Sequence, residues 1–118
     1  MKRDMDLVRD ILIEMEKWPV DQRDHEVVVV GHTADEITYH LGLMNEAGLI
    51  KAIDAGSFDG EAWLPVKILW AGHEFLDAAR SDTVWAKAKQ RALSTTGTVT
   101  IEAMKAALQW AIRQAVSG

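Results

Sequence analysis

Met5, Val8, Leu12 and Met15 recur along one helical stripe, and Leu7, Ile11 and Trp18 along its neighbour, with Pro19 directly behind them. This spacing predicts a first helix over residues 4 to 18, stopped by the proline. Four consecutive valines, Val27 to Val30, then run up to Gly31. Their β-branched composition and length read as a short strand. Thr33 and Glu36 have capping-box spacing, Ile37, Leu41 and Met44 carry the apolar period, and Gly48 stands at the C′ position. A second helix over residues 34 to 47 follows from these signals. Two strand-like runs, Leu49 to Asp54 and Ala62 to Leu69, flank the turn residues Gly56, Asp59 and Gly60. They predict a hairpin in which Pro65 forces an edge or a bulge. Three more helices are expected at residues 71 to 80, at 84 to 93 after Asp82 or Thr83 as cap, and at 101 to 116 after Thr100.

The order helix, strand, helix, hairpin, helices is that of a winged helix-turn-helix with one piece short. Between Pro19 and Thr33 there is room for a strand but hardly for a further helix. Either that helix is reduced to a turn or the valines belong to it, and β-branching favours the first. The fold class is therefore α+β: a single winged-helix-like domain, with residues 1–80 as its core and residues 81–118 as a C-terminal helical extension.

Three segments, MKRDMDLVRDIL, ITYHLGLMNEAGLI and LWAGHEFLDAARSDTVWAKAK, together resemble the bacterial and phage family DUF2513. The likeness runs from Met1 to about Lys89 and rests on Tyr39-His40, Ala47-Gly48-Leu49-Ile50 and Gly72-His73-Glu74-Phe75-Leu76-Asp77 occurring jointly. It implies a winged-helix-like fold and occurrence in phages and prophages; it carries over no activity and no catalytic residue. One departure is Ile68-Leu69-Trp70 where such proteins often have Leu-Thr-Trp. Loss of the threonine cap predicts that the following helix starts a residue or two late.

Charge alters the usual functional expectation of this fold. The 118 residues carry a net charge of −5. Between Gly31 and Trp70 six carboxylates, Asp35, Glu36, Glu46, Asp54, Asp59 and Glu61, stand against Lys51 and Lys67, a local net of −4. A DNA-reading helix and wing need the opposite sign to neutralise phosphates. The expected contact residues, Asp35, Glu36, Thr38, Tyr39, Asn45, Phe58 and Trp63, therefore point to a protein partner with a basic surface. The alternative is a DNA-binding transcriptional regulator. It would use Thr38, Tyr39, His40 and Asn45 on bases and a basic cluster, either Lys2, Arg3 and Arg9 or Lys87, Lys89 and Arg91, on phosphate.

Five tryptophans refine this picture. Trp70 and Trp85 are expected in the core. Trp63 either joins Phe58 and Leu64 in an exposed aromatic cluster on the wing or folds back onto the domain. The last helix is apolar over more than one stripe, and Ile101, Met104, Leu108, Trp110 and Ala111 form a candidate interface for a two-fold homodimer, with packing inside one chain as the alternative.

Chemistry is sparse. His25, His32, His40 and His73 show no ligand spacing and there is no cysteine, so neither metal nor cofactor is expected. No nucleophile elbow or phosphate loop is present, and His73, Glu74 and Asp77 merely share one predicted helix, so an enzyme is not expected. No apolar run approaches the length of a membrane span and no secretory h-region follows Lys2 and Arg3, which predicts a soluble cytoplasmic protein without membrane contact.

Overall fold

The computed structural model describes residues 1–19, 26–58, 60–97 and 99–117. In chain order the elements are α1 (Met5–Glu16), α2 (Ala34–Glu46), β1 (Ile50–Asp54), β2 (Trp63–Ile68), α3 (Trp70–Ala79), α4 (Asp82–Thr96) and α5 (Ile101–Ser117). This is an α+β architecture with one two-stranded antiparallel sheet, compatible with a winged-helix-like fold. The chain gathers into two compact units, Met1–His73 and Glu74–Gly118.

In the first unit, Asp4 caps α1 by accepting the Asp6 and Leu7 amides. The face of α1 carrying Leu7, Val8, Ile11, Leu12 and Met15 is buried. The α2 start is the predicted capping box: the Thr33 hydroxyl accepts the Glu36 amide, while the Glu36 carboxylate accepts the Thr33 amide. Gly48 follows the helix with a φ of 74°, a left-handed turn that a Cβ would oppose.

The four valines do not form a strand. Residues 26–33 contain neither strand nor helix, and among the described residues β1 and β2 pair only with each other. Val27 is buried, but Val30 is 98% exposed and the chain turns at once, His32 donating to the Val29 carbonyl. β-branched composition favours extended backbone, yet a strand also needs a ladder partner, and none is supplied here. Any helix within residues 20–25 lies outside the described residues, as does His25.

The hairpin contains the bulge implied by Pro65. Lys51 pairs with Lys67 and Ala52 with Pro65, so Val66 is the extra residue. A bulge inverts side-chain alternation beyond it. Ile68, opposite Ile50, is thereby turned inward, and Lys67 lies exposed opposite Lys51. Two like charges facing each other across a ladder oppose pairing by a fraction of about 1 kcal/mol.

Helix α3 starts early, not late. The Leu69 amide donates to the Leu49 carbonyl, and the Leu69 carbonyl accepts the His73 amide as the first helical bond. Backbone thus sets the helix start without a capping side chain. Gly72 is required at this junction because a Cβ there would run into the Leu49 carbonyl oxygen and lie 2.7 Å from Ile68 Cγ2. Trp70 is 80% exposed, contrary to the core position expected of it; as the first residue of α3 it lies outside the buried stripe that holds Phe75, Leu76 and Ala79.

In the second unit, Ser81, rather than Asp82 or Thr83, caps α4 through the Val84 amide. Trp85 is buried and meets Phe75 edge-to-face at 6.0 Å. Thr100 caps α5 through the Ala103 amide. Helices α4 and α5 pack on each other, and Ala88, Ala92, Met104, Ala107, Leu108 and Ala111 are buried.

Candidate functional site: the wing tip and the surfaces around it

The acidic helix α2 offers fewer contact groups than its sequence promises, because several are spent on the fold. Asn45 is partly engaged in the fold: its Oδ1 accepts the Ala52 amide at 3.0 Å and ties α2 to β1. His40 is 1% exposed. Its Nδ1 lies 2.7 Å from the Glu36 carbonyl and its Nε2 accepts the Asp4 amide at 2.8 Å. A carbonyl can only accept and an amide can only donate, so the ring is held as the neutral Nδ1–H tautomer, fastening the start of α1 to α2. His40 is therefore not available to read a base edge, and the Asn45 oxygen is taken up by the Ala52 amide.

Glu36 is occupied too. His32 Nδ1 lies 3.0 Å from its second carboxylate oxygen. That bond first, and the Thr33 amide second, hold the Glu36 carboxyl below its ordinary 4.5. Burial in turn pushes Asp10 of α1 above its ordinary 3.8, against the attraction of Arg9. Thr38 and Tyr39 are half-buried, Tyr39 lying edge-on to His40 at 5.7 Å. Asp35, in the first turn of α2, and Glu46, at its end, remain exposed.

Trp63 folds back onto the domain. Its indole lies so close over α2 that a Cβ on Gly42 would be 2.6 Å from Nε1, and Nε1 donates to Glu61 at 2.9 Å. The wing is then left with a single aromatic tip. The Ser57 and Gly60 backbones exchange two hydrogen bonds, at 3.0 and 3.1 Å, and the Ala55 amide donates to Ala62. Asp54 fixes the near side by accepting the Gly56 amide. Next to this pair of bonds Phe58 is fully exposed. It shares an open concavity of about 580 Å³ with Asp54, Gly56, Ser57, Gly60 and Glu61. Ile53 and Leu64, directly paired, extend exposed apolar surface along the wing.

The C-terminal helices separate what the sequence grouped and combine what it separated. Lys87, Lys89 and Arg91 are not one cluster: Lys87 and Arg91 lie one turn apart, while Lys89 is about 200° round the helix from Lys87. Met104, Leu108 and Ala111 are 0 to 1% exposed within a single chain, so they offer no surface for a dimer. Ile101 and Trp110 are half-buried. The Arg91 guanidinium instead sits 4.8 Å over the Trp110 ring. Beside this stack a groove of about 310 Å³ between α4 and α5 is floored by Ala92, Ala103, Ala106 and Ala107 and reached by Arg113. A neighbouring depression adds Lys87, Gln90, Ser94 and Gln114. The one-turn spacing of Lys87 and Arg91 was legible; their convergence with Trp110 depends on how two helices pack.

Elsewhere, His73, Glu74 and Asp77 are each exposed, and Asp77 pairs with Arg80 at 2.6 Å. Among the described residues no helix is long and apolar enough to cross a membrane.

Comparison with known proteins identifies kinship without naming an activity. A family model described as "Hypothetical protein (DUF2513)" matches residues 2–99. The chain is similar, at 34% identity over 117 residues, to an uncharacterized protein of Haemophilus influenzae, the match covering 97% of this chain and 98% of the relative. No solved structure matches it. Matched over most of its length by the family model and over nearly all of it by the relative, the chain belongs to the DUF2513 family.

Proposed function

We propose that this protein is a non-enzymatic regulatory or interaction protein of the cytoplasm, of the kind that the family resemblance associates with phages and prophages, and that it docks a protein partner through the wing tip. The observation that carries this reading is Phe58, fully exposed beside the Ser57 and Gly60 backbones, which bond to each other. Covering such a ring is worth roughly 1.5–3 kcal/mol. The flanking carboxylates of Asp54 and Glu61 require cations around the pocket that receives the ring. A basic protein surface with an apolar recess meets both needs.

Duplex DNA meets neither. Phosphates would confront the acidic α2 and wing tip, and His40 and Asn45, two of the four candidate base readers, are committed to backbone partners. Fluorescence anisotropy with labelled duplex DNA at low salt, the condition most favourable to phosphate binding, should show no saturable complex. A tight, sequence-specific complex that weakens steeply with added salt would overturn the reading.

A further inference from the structure

The groove between α4 and α5 has the properties that the wing tip requires of its partner. Its floor is alanine, its wall is Trp110, and its rim carries Arg91, with Lys87 in the adjoining depression. No carboxylate is among the residues that line either hollow. In a chain of net charge −5 this is a local inversion of sign. A closed apolar cavity of about 150 Å³ already admits a benzene ring, so a groove of about 310 Å³ has room for a phenylalanine side chain beside the indole.

We propose that this groove receives the wing tip of a second copy of the chain. Phe58 of one copy seats on the alanine floor against Trp110 of the next, and Asp54 and Glu61 face Arg91 and Lys87. The inference rests on the reading of the wing tip as a docking element and supplies its partner. Charge complementarity selects this occupant: the acidic, aromatic tip and the basic, alanine-floored groove are both present on every copy. The ring would add an aromatic contact to the existing stack of Arg91 on Trp110. Because the two surfaces differ, the contact is heterologous: each pairing leaves one tip and one groove open, and association continues until a ring closes.

Sedimentation velocity on the full chain tests this. The weight-average mass of the wild type should rise with concentration up to about 100 μM, a range that detects micromolar contacts. Phe58→Ala and Arg91→Glu should each weaken association by about 30-fold or more, the loss expected for a central anchor. Both positions are exposed, so far-UV circular dichroism should be unchanged; melting should be unchanged in Phe58→Ala and lowered only slightly in Arg91→Glu, which loses the stack on Trp110. Mixing the two variants should restore one-to-one dimers that grow no further, since the first retains an intact groove and the second an intact tip. A wild type that stays monomeric at about 100 μM, a Phe58→Ala chain that associates normally, or a mixture that remains monomeric would each overturn the proposal. If the wild type is monomeric while a photo-crosslinker at position 58 captures a different protein in cells, the second copy is excluded and the docking role of the tip survives; DNA capture at that position would remove both.

Discussion

Substituting alanine at two helical glycines, Gly72 and Gly42, should have opposite consequences, although both positions are buried and both would gain helix propensity. Alanine is favoured over glycine inside a helix by about 1 kcal/mol. At Gly72 the new methyl would strike the Leu49 carbonyl oxygen and sit 2.7 Å from Ile68 Cγ2 and 3.0 Å from the Leu49 carbonyl carbon. Backbone cannot rotate away, so the first turn of α3 must lift from Leu49 and the Leu69–Leu49 hydrogen bond of 2.9 Å must stretch or break. Overpacking of this kind costs about 1–3 kcal/mol, occasionally more, and the lost bond about 1 kcal/mol. A net loss of about 2 kcal/mol remains after the propensity gain, lowering Tm by on the order of 10 °C for a chain of this size. At Gly42 the obstacle is the Trp63 indole, a half-buried side chain that can swing outward. Its displacement and the loss of its bond to Glu61 nearly cancel the gain, leaving stability within about 1 kcal/mol of wild type. Urea denaturation would measure both changes, and the indole shift in Gly42→Ala should appear as altered tryptophan emission. A Gly72→Ala protein as stable as wild type would refute the close approach of α3 to the Leu49 backbone.

Other perturbations follow from the same contacts. His40→Ala removes an acceptor from the Asp4 amide and a donor from the Glu36 carbonyl and leaves a cavity, so it should cost about 3 kcal/mol in urea and speed hydrogen exchange at Asp4. Glu36 has a lowered carboxyl pKa in the folded state, so its stabilisation is present above its ordinary 4.5 and is lost as pH falls through the lowered value. The stability difference between wild type and Glu36→Gln should therefore shrink toward zero on acidification. Asp10 has the opposite sign: its raised pKa means that the ionised form penalises folding above its ordinary 3.8 and the penalty is relieved as pH falls. Asp10→Asn should be slightly stabilising at neutral pH, because it removes first a partly buried charge and then the repulsion with Asp6 one turn away, and should lose that advantage in acid.

The elements encoded by local signals were legible in the sequence. The Thr33 and Glu36 box, Gly48 behind α2, the hairpin and its Pro65 bulge all depend on residues within a few positions of one another. What escaped was decided by distant partners. Val27 to Val30 lack a ladder neighbour among the described residues, and Leu69 needs no capping side chain because Leu49 fixes its backbone from across the hairpin. The site divided in the same way. The acidity of α2 and the wing could be read directly, but Asn45 and His40 are taken up by amides seven and thirty-six residues away. Phe58 stayed a candidate whose exposure only the folded turn could decide, and Trp63, its expected companion, is drawn off by the space over Gly42. The breadth of the apolar surface on α5 suggested a second chain, whereas Met104, Leu108 and Ala111 are covered within one chain.

We propose the wing tip, rather than the exposed face of α2, as the contact surface, with protein as its partner. A photo-crosslinking amino acid placed at position 58 in cells addresses it directly, with the same group at position 35 on α2 for comparison. Adducts with protein should form at position 58, be sparse at position 35, and fall when Asp54 and Glu61 are both changed to lysine. Adducts confined to position 35, or adducts with nucleic acid at position 58, would contradict the account.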